Sequence, residues 1–214
     1  MRTIELDAPT LHVQEMRIPK PKDVKVIIIT EGFPTHLLPL YKASLAFDDL
    51  TARCMIFAAS EPGRLIVRID NFLKERGDSR RDEKMIKLID LFHIAHLIYL
   101  PKEVMEDRAE LELITSLSAR KEIDDLIGQG ARIVVTLGEA AQSWIRSNFS
   151  TNDISLIQLP IPSNHISDWF PNFLERMHIE RGADTLRVLE TMAAQIDKLI
   201  LALSELQSSG DLIK

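Results

Sequence analysis

The segment Asp23–His36, which reads DVKVIIITEGFPTH, decides the fold class of this 214-residue chain. Val24 to Ile29 is almost entirely β-branched and is interrupted only by Lys25. Such a run is typical of a strand buried on both faces, as in a parallel sheet that helices cover on each side. Gly32 and Pro34 then end the strand and force a turn. The segment therefore predicts a buried core strand that opens into a loop.

Strands and helices alternate along the rest of the chain. Strands are predicted at 24–30, 95–100, 131–137 and 154–159. Apolar residues at helical spacing predict helices at 37–57, 62–76, 85–93, 108–129, 138–148, 168–177 and 184–206, with a charged loop and helix entry at 78–84. This alternation favours an α/β fold with a short, mostly parallel sheet, helices on both faces and right-handed crossovers.

The bulk composition is that of one globular domain. The chain is 45% hydrophobic and long enough for one sizeable α/β core, so we expect a single domain over 1–214. Within it, residues 1–22 are predicted to form a polar N-terminal arm, and 184–206 a long C-terminal helix. A formal charge of −6 argues against a globally basic nucleic-acid binder, although a local basic groove remains compatible with it.

Apolar runs in the sequence are all much shorter than the roughly 20 residues that span a bilayer. The first 22 residues are polar and interrupted by prolines, so they do not resemble a signal peptide. We therefore expect a soluble cytoplasmic protein with no membrane partner.

Cysteine, histidine and glycine patterns predict neither a metal nor a nucleotide cofactor. The single Cys54 excludes an internal disulfide and any multi-cysteine metal or iron–sulfur site, and it is interpreted as a small core residue. No metal-ligand spacing relates His93, His96, His165 and His178. The sequence has no phosphate-binding glycine-lysine loop and no dinucleotide fingerprint, so the glycine after the third strand is expected only to permit a tight turn. No cofactor is expected.

Side chains suited to chemistry concentrate in two loops that follow predicted strands. These loops carry Glu31, His36, Ser163, Asn164 and His165, and the strand at 95–100 adds Tyr99. Because parallel strands end at the same edge of a sheet, these groups can face one cleft, orient water and hydrogen-bond a polar planar ligand. The alternative is a local role, in which Glu31 caps the next helix and Ser163 and Asn164 cap the helix that follows them.

A basic segment between residues 64 and 84 has two interpretations. Its cations are interleaved with acids, which favours a solvated surface, and contact with phosphate groups is the alternative. The set comprises Arg64, Arg68, Lys74, Arg76, Arg80, Arg81 and Lys84.

The order of these motifs resembles that of the uracil-DNA glycosylase superfamily over residues 24–178. The family's first motif follows its first core strand, and here the matching stretch is Thr-Glu-Gly-Phe-Pro-Thr-His at 30–36. The Glu-Ser-Pro-Pro form of divergent prokaryotic members is closer still, since its glutamate falls on Glu31 and its second proline on Pro34. The resemblance implies a three-layer α/β/α sandwich.

Four later segments follow in the family's order. Residues 62–77 resemble the family's Gly-Arg-Ala-Gly turn with its following helix, and residues 95–102 resemble its Thr-Asn-Val-Val-Lys strand. Residues 132–141 resemble its Val-Ala-Leu-Gly-x-x-Ala segment, and residues 159–164 resemble its His-Pro-Ser loop.

The chain also departs from the family pattern at three functional positions. When the prolines are aligned, the catalytic aspartate of the first motif falls on Phe33, and the histidine of the His-Pro-Ser loop falls on Ile161. The base-reading asparagine of the third motif is replaced in the region of Ile98 and Tyr99. The iron–sulfur cysteines of some members are absent.

The resemblance implies a DNA-repair glycosylase that flips a deaminated base such as uracil from DNA and hydrolyses its N-glycosidic bond. Glu31 would polarise water or stabilise the developing sugar cation, and Phe33 or Phe57 would stack on the base. Ser163, Asn164 and His165 would hold a phosphate or wedge the flipped strand, with His165 also stabilising the leaving anion. His36 would support the first loop, and DNA would bind through a local groove.

Two alternatives stand beside this hypothesis. The departures at Phe33 and Ile161 favour a catalytically inactive member that binds nucleic acid or a nucleobase. The acidic charge and the long C-terminal helix favour an unrelated α/β protein that binds a partner protein.

Overall fold

A computed structural model describes residues 20–31, 39–40, 43, 46–100, 109–150, 154–162 and 184–209. Predictions for the N-terminal arm, apart from its last three residues, and for a helix at 168–177 fall outside these residues. In the described part of the chain, no helix is both long enough and apolar enough to cross a membrane.

The described strands form one parallel sheet in the order β2-β1-β3-β4. They are β1 (Val26–Glu31), β2 (Ala95–Leu100), β3 (Ile133–Leu137) and β4 (Ser155–Leu159). All four predicted strands are confirmed, with starts displaced by two residues at most. Val26 to Ile29 have no exposed surface, which is the burial that the unbroken β-branched run predicts for a strand with neighbours on both sides.

The helices lie in two layers on opposite faces of the sheet. In the described part of the chain, apart from helical residues at 39–40 and 43, they are α1 (Asp49–Ala59), α2 (Glu61–Glu75), α3 (Arg81–Ile89), α4 (Leu91–Ile94), α5 (Ala109–Gly128), α6 (Glu139–Asn148) and α7 (Asp184–Ser208). One core joins the sheet to α1–α4 and α7, and the other joins its opposite face to α5 and α6. The chain is therefore the α/β/α sandwich that the sequence predicts.

Two helices begin at positions that the apolar rhythm alone does not predict. α1 starts at Asp49 because Asp48 caps it, accepting hydrogen bonds from the backbone N–H groups of Leu50 (3.1 Å) and Thr51 (3.0 Å). α3 starts at Arg81, four residues before the predicted helix, so part of the predicted charged loop is helical.

The early start of α3 has a physical cause in Lys84. Its side chain is only 6% exposed, and its ammonium lies 2.8 Å from Asp78 and 2.5 Å from Asp197 of α7. The charged segment at 78–84 resembles a solvated loop in sequence, yet part of it is helical and buried. Burial of Lys84 is possible because Asp197 neutralises it, and the sequence does not reveal this partner because it lies more than one hundred residues away.

Candidate functional site

The direction of the strand order reverses at β1. The chain passes from β1 to β2 on one side, and then from β2 across to β3 on the other side of β1. Because crossovers keep one hand, this reversal moves the connecting helices from one face to the other, from α1–α4 to α5. In open α/β sheets such a topological switch point leaves a crevice outside the carboxyl ends of the two strands that flank it, and ligands bind in this crevice. Here these strands are β1 and β3.

β1 ends at this switch point with Glu31. The strand register pairs Glu31 with Leu100 of β2, and Thr30 with Tyr99. On the other side of β1, Ile29 pairs with Thr136 of β3. The strand register therefore brings the backbone of Glu31 and that of Tyr99 to the same edge of the sheet.

β3 reaches the same edge and turns directly into α6 through Gly138. This glycine has φ +90°, a conformation that L side chains rarely adopt, so the predicted tight turn requires glycine here. The Gly138 N–H donates to the carbonyl of Leu159 at the end of β4 (2.9 Å), which holds the turn against the sheet. Among the described residues no side chain caps α6, so its first amides lie at the edge without a side-chain partner from this part of the chain.

A hydrogen bond joins Tyr99 to the start of α2 at this edge. The Tyr99 hydroxyl donates to Oε2 of Glu61 over 3.3 Å. Burial and the nearby charge of Glu61 raise the pKa of Tyr99 well above its ordinary value, so the phenol stays protonated and acts as a donor. Glu31, Glu61, Tyr99 and Gly138 all lie at this edge of the sheet, which we call the carboxyl-edge site. Tyr99 packs on the face that α1–α4 cover.

Glu61 was not among the predicted site residues. In the sequence, Ser60-Glu61-Pro62 indicates only a helix start, and nothing local reveals the contact with Tyr99 38 residues away. The only available signal was that Tyr99 lies one residue before the end of a strand, where a hydroxyl is well placed to find a partner.

The structure places Phe57 in the core rather than at this edge. Phe57 is 1% exposed, and its ring centroid lies 5.1 Å from the ring centroid of Phe92, which precedes the amino end of β2. The prediction that Phe57 stacks on a base is therefore not supported, because a buried ring that fills the core has no free face for a ligand. Phe33 remains the predicted stacking residue.

The remaining predicted site residues fall outside the described residues. They are Phe33, His36, Ser163, Asn164 and His165. The described chain does bring the starts of both loops to the carboxyl edge, since β1 ends at Glu31 and β4 ends at Leu159, followed by Pro160.

A second buried polar group lies toward the opposite edge, near the amino end of β2. His96 is 5% exposed, and its Nε2 lies 3.2 Å from Oε1 of Glu122 on α5. Lys20 approaches the same oxygen at 2.5 Å. The hydrogen bond with His96, together with that of Lys20, lowers the pKa of Glu122 to about 2. This cluster fastens the chain before β1 to α5 and does not contribute to the carboxyl-edge site.

Several members of the basic set are engaged within the protein, and the guanidinium carbon of Arg76 lies 5.6 Å from the ring centroid of Phe72. Arg81 forms a two-pronged ion pair with Asp70 of α2, with Nε–Oδ1 at 2.6 Å and Nη2–Oδ2 at 2.8 Å, and Lys84 is held as described above. In the described ranges, no group of three or more His, Cys, Asp or Glu side chains converges in a way that could hold a metal ion.

The chain was compared with protein-family models, with curated proteins and with solved structures, and none of the three comparisons gives a match.

Proposed function

We propose that the protein is a DNA-repair glycosylase that removes a deaminated base such as uracil. The observation that carries this proposal is the position of Glu31, which ends the central strand beside the topological switch point. The motif order in the sequence supplies the substrate class. The resemblance to the uracil-DNA glycosylase superfamily implies an α/β/α sandwich, and the chain has this fold.

The chemistry requires cleavage of the bond between C1′ of deoxyribose and the base nitrogen. As this bond lengthens, positive charge develops on the sugar, and the base leaves as an anion. A carboxylate at the end of β1 supports this step by stabilising the cation and by taking a proton from the water that attacks C1′.

The edge also offers hydrogen-bond donors to a departing base. The first amides of α6 follow Gly138 and have no side-chain cap from the described part of the chain, and helix N-termini favour negatively charged oxygens. The groups needed for the sugar cation and for the base anion thus come from neighbouring strands, β1 and β3.

The test is a base-release assay with duplex and single-stranded oligonucleotides that carry uracil, hypoxanthine or xanthine. We expect the wild-type protein to release at least one of these bases, and Glu31→Gln to lower the rate by about 10²-fold or more. The exposed Glu190 of α7 provides the matched control, since Glu190→Gln removes one carboxylate far from the switch point in sequence and leaves the rate unchanged. Full activity of Glu31→Gln contradicts the role of Glu31.

A second candidate is a member of this family that binds DNA or a nucleobase without cleaving it. Ile161, which follows β4, favours it because the family has a histidine at the aligned position, and an aliphatic side chain can neither donate a hydrogen bond nor transfer a proton. This candidate predicts DNA affinity that falls steeply between 50 and about 200 mM salt, with no base released.

A further inference from the structure

We infer that Arg53 of α1 is the anchor of an oxyanion-binding site, which takes a phosphate or carboxylate group of a small molecule. The inference goes beyond the proposed function and does not depend on it, because it concerns a charged side chain that the carboxyl-edge site does not use.

Arg53 is buried without a partner of opposite charge from the described part of the chain. The residue is 6% exposed, and none of the ion pairs formed there includes it. Its Nε atom is buried and has no hydrogen-bond partner among the same residues. The other two buried ionisable side chains are both paired, Lys84 with Asp78 at 2.8 Å and His96 with Glu122 at 3.2 Å.

The acidic residues that precede Arg53 on α1 do not neutralise it. Asp49 lies four residues earlier, a spacing that often gives an ion pair on a helix, yet it is exposed and forms none with Arg53. Asp48 is engaged as the helix cap, since it accepts from the backbone N–H groups of Leu50 and Thr51 and from the Thr51 hydroxyl. The charge of Arg53 is therefore left for a group that is not part of this helix.

The surroundings of Arg53 favour a bound anion. Arg53 lies on the same face of α1 as Ile56 and Phe57, which are each 1% exposed and belong to the core. A guanidinium in a protein stays protonated, so its burial beside apolar side chains is costly unless an acceptor compensates it. The same apolar surroundings strengthen its attraction to an anion. Leu50, one turn earlier, is 52% exposed, so α1 lies at the surface and the path from solvent is short.

The protein itself shows how this edge of a guanidinium is satisfied. Arg81 binds Asp70 through Nε and Nη2, at 2.6 and 2.8 Å from the two carboxylate oxygens. Phosphate and carboxylate groups both present paired oxygens that match this fork. An oxyanion that binds Arg53 in the same manner gives the buried Nε its acceptor and neutralises the charge at once.

The experiment titrates the full chain with sodium phosphate and, separately, with sodium acetate, by isothermal titration calorimetry in Tris-chloride buffer at constant ionic strength. The two titrations distinguish a phosphate ligand from a carboxylate ligand. We expect saturable binding of at least one of these anions to wild type. Arg53→Met keeps an unbranched apolar side chain without the charge, and we expect it to bind that anion about tenfold more weakly or worse.

Thermal unfolding is the second measurement. At ten times the dissociation constant, the anion is expected to raise the unfolding midpoint of wild type by about 3 °C or more. Arg120→Met, which removes an exposed arginine of α5, is the control and retains both the binding and this rise. Without phosphate or acetate, Arg53→Met is expected to unfold at the same temperature as wild type or above it, because it removes a buried charge that has no partner.

Three results overturn the inference. They are the absence of saturable binding of either anion to wild type, equal binding by Arg53→Met, and a lower unfolding midpoint or a failure to fold of Arg53→Met in the buffer without phosphate or acetate. The last result shows that the chain itself neutralises Arg53. None of these measurements uses base release, so the outcome is separate from that of the glycosylase proposal.

Discussion

Gly63, for which the sequence predicts no chemical role, is the described glycine with the least room for a side chain. Its helical backbone conformation is open to any L residue, yet a Cβ would meet the backbone of Ala58, which has no side-chain freedom to move aside. The requirement for glycine is therefore one of close approach between helices rather than of backbone freedom.

We expect Gly63→Ala to lower the free energy of unfolding by about 2–4 kcal/mol, since α1 and α2 must separate to admit the methyl group. Gly128, at the end of α5, has nothing within 4 Å of an added Cβ and serves as the control. Gly128→Ala is expected to be neutral or to stabilise by about 0.5–1 kcal/mol. Urea denaturation measures both, and equal stability of the two variants would contradict the steric argument.

Glu122 makes stability depend on pH. Folding lowers its pKa from 4.5 to about 2, so its contribution is fully present above pH 4.5 and is lost as the pH falls toward 2. The side chain is 33% exposed, which reduces the contribution through solvent screening. We expect Glu122→Gln to cost about 1–2 kcal/mol at pH 7 and much less near pH 2.

Denaturant unfolding at several pH values between 7 and 2 tests this, with Asp124→Asn, an exposed carboxylate on the same helix, as the control. A penalty for Glu122→Gln that stays constant across this range would show that the loss is one of packing rather than of charge.

For single residues, the sequence predicts which side chains are buried better than it predicts which side chains contact each other. The turn at Gly138 follows from local patterns and is found, and the first strand, predicted to end at residue 30, ends one residue later at Glu31. The contacts Tyr99–Glu61 and His96–Glu122 join residues 38 and 26 positions apart, and neither residue type alone identifies its partner. Phe57 was misassigned because an aromatic residue on an apolar helix face looks the same in sequence whether it fills the core or lines a cleft.

At the scale of elements, α3 is held to two other helices by charged side chains. Arg81 binds Asp70 of α2, and Lys84 binds Asp197 of α7. α3 exposes Ile86 and Ile89 to solvent, so its attachment relies on these charges in addition to Leu88, which is fully buried. This mixed attachment explains why apolar periodicity alone placed the start of α3 too late.

We expect Lys84→Met to destabilise the protein by about 2–3 kcal/mol, because it leaves Asp78 and Asp197 beside an apolar side chain without their shared cation. Lys87 offers a comparison on the same helix. Its side chain is 20% exposed, its acidic partner Glu83 is 63% exposed, and its other partner, the Ser204 hydroxyl of α7 at 2.7 Å, is uncharged. Lys87→Met is expected to cost about 1 kcal/mol or less. Thermal or urea unfolding of the pair provides the measurement, and a larger loss in Lys87→Met would contradict this ranking.

At the scale of the whole molecule, the alternation of strands and helices was sufficient to predict the α/β/α sandwich. It did not predict the order β2-β1-β3-β4, because the alternation is the same whether the second crossover continues outward or returns past β1. The return past β1 is what creates the switch point. The candidate site was therefore predictable as an edge of the sheet, and its position between β1 and β3 was not.

α7, near the C-terminal end of the sequence, contacts elements that the ribosome synthesises well before it. Its Gln195 side chain accepts from the backbone N–H of Gln158 in β4 (2.9 Å), its Asp197 binds Lys84, and its Leu199 and Leu203 are fully buried against the sheet. During translation, the sheet and its other helices emerge before this cover exists. A nascent chain consequently carries an uncovered apolar surface until residues 184–208 have left the ribosome, and this interval is when chaperones and aggregation compete for it.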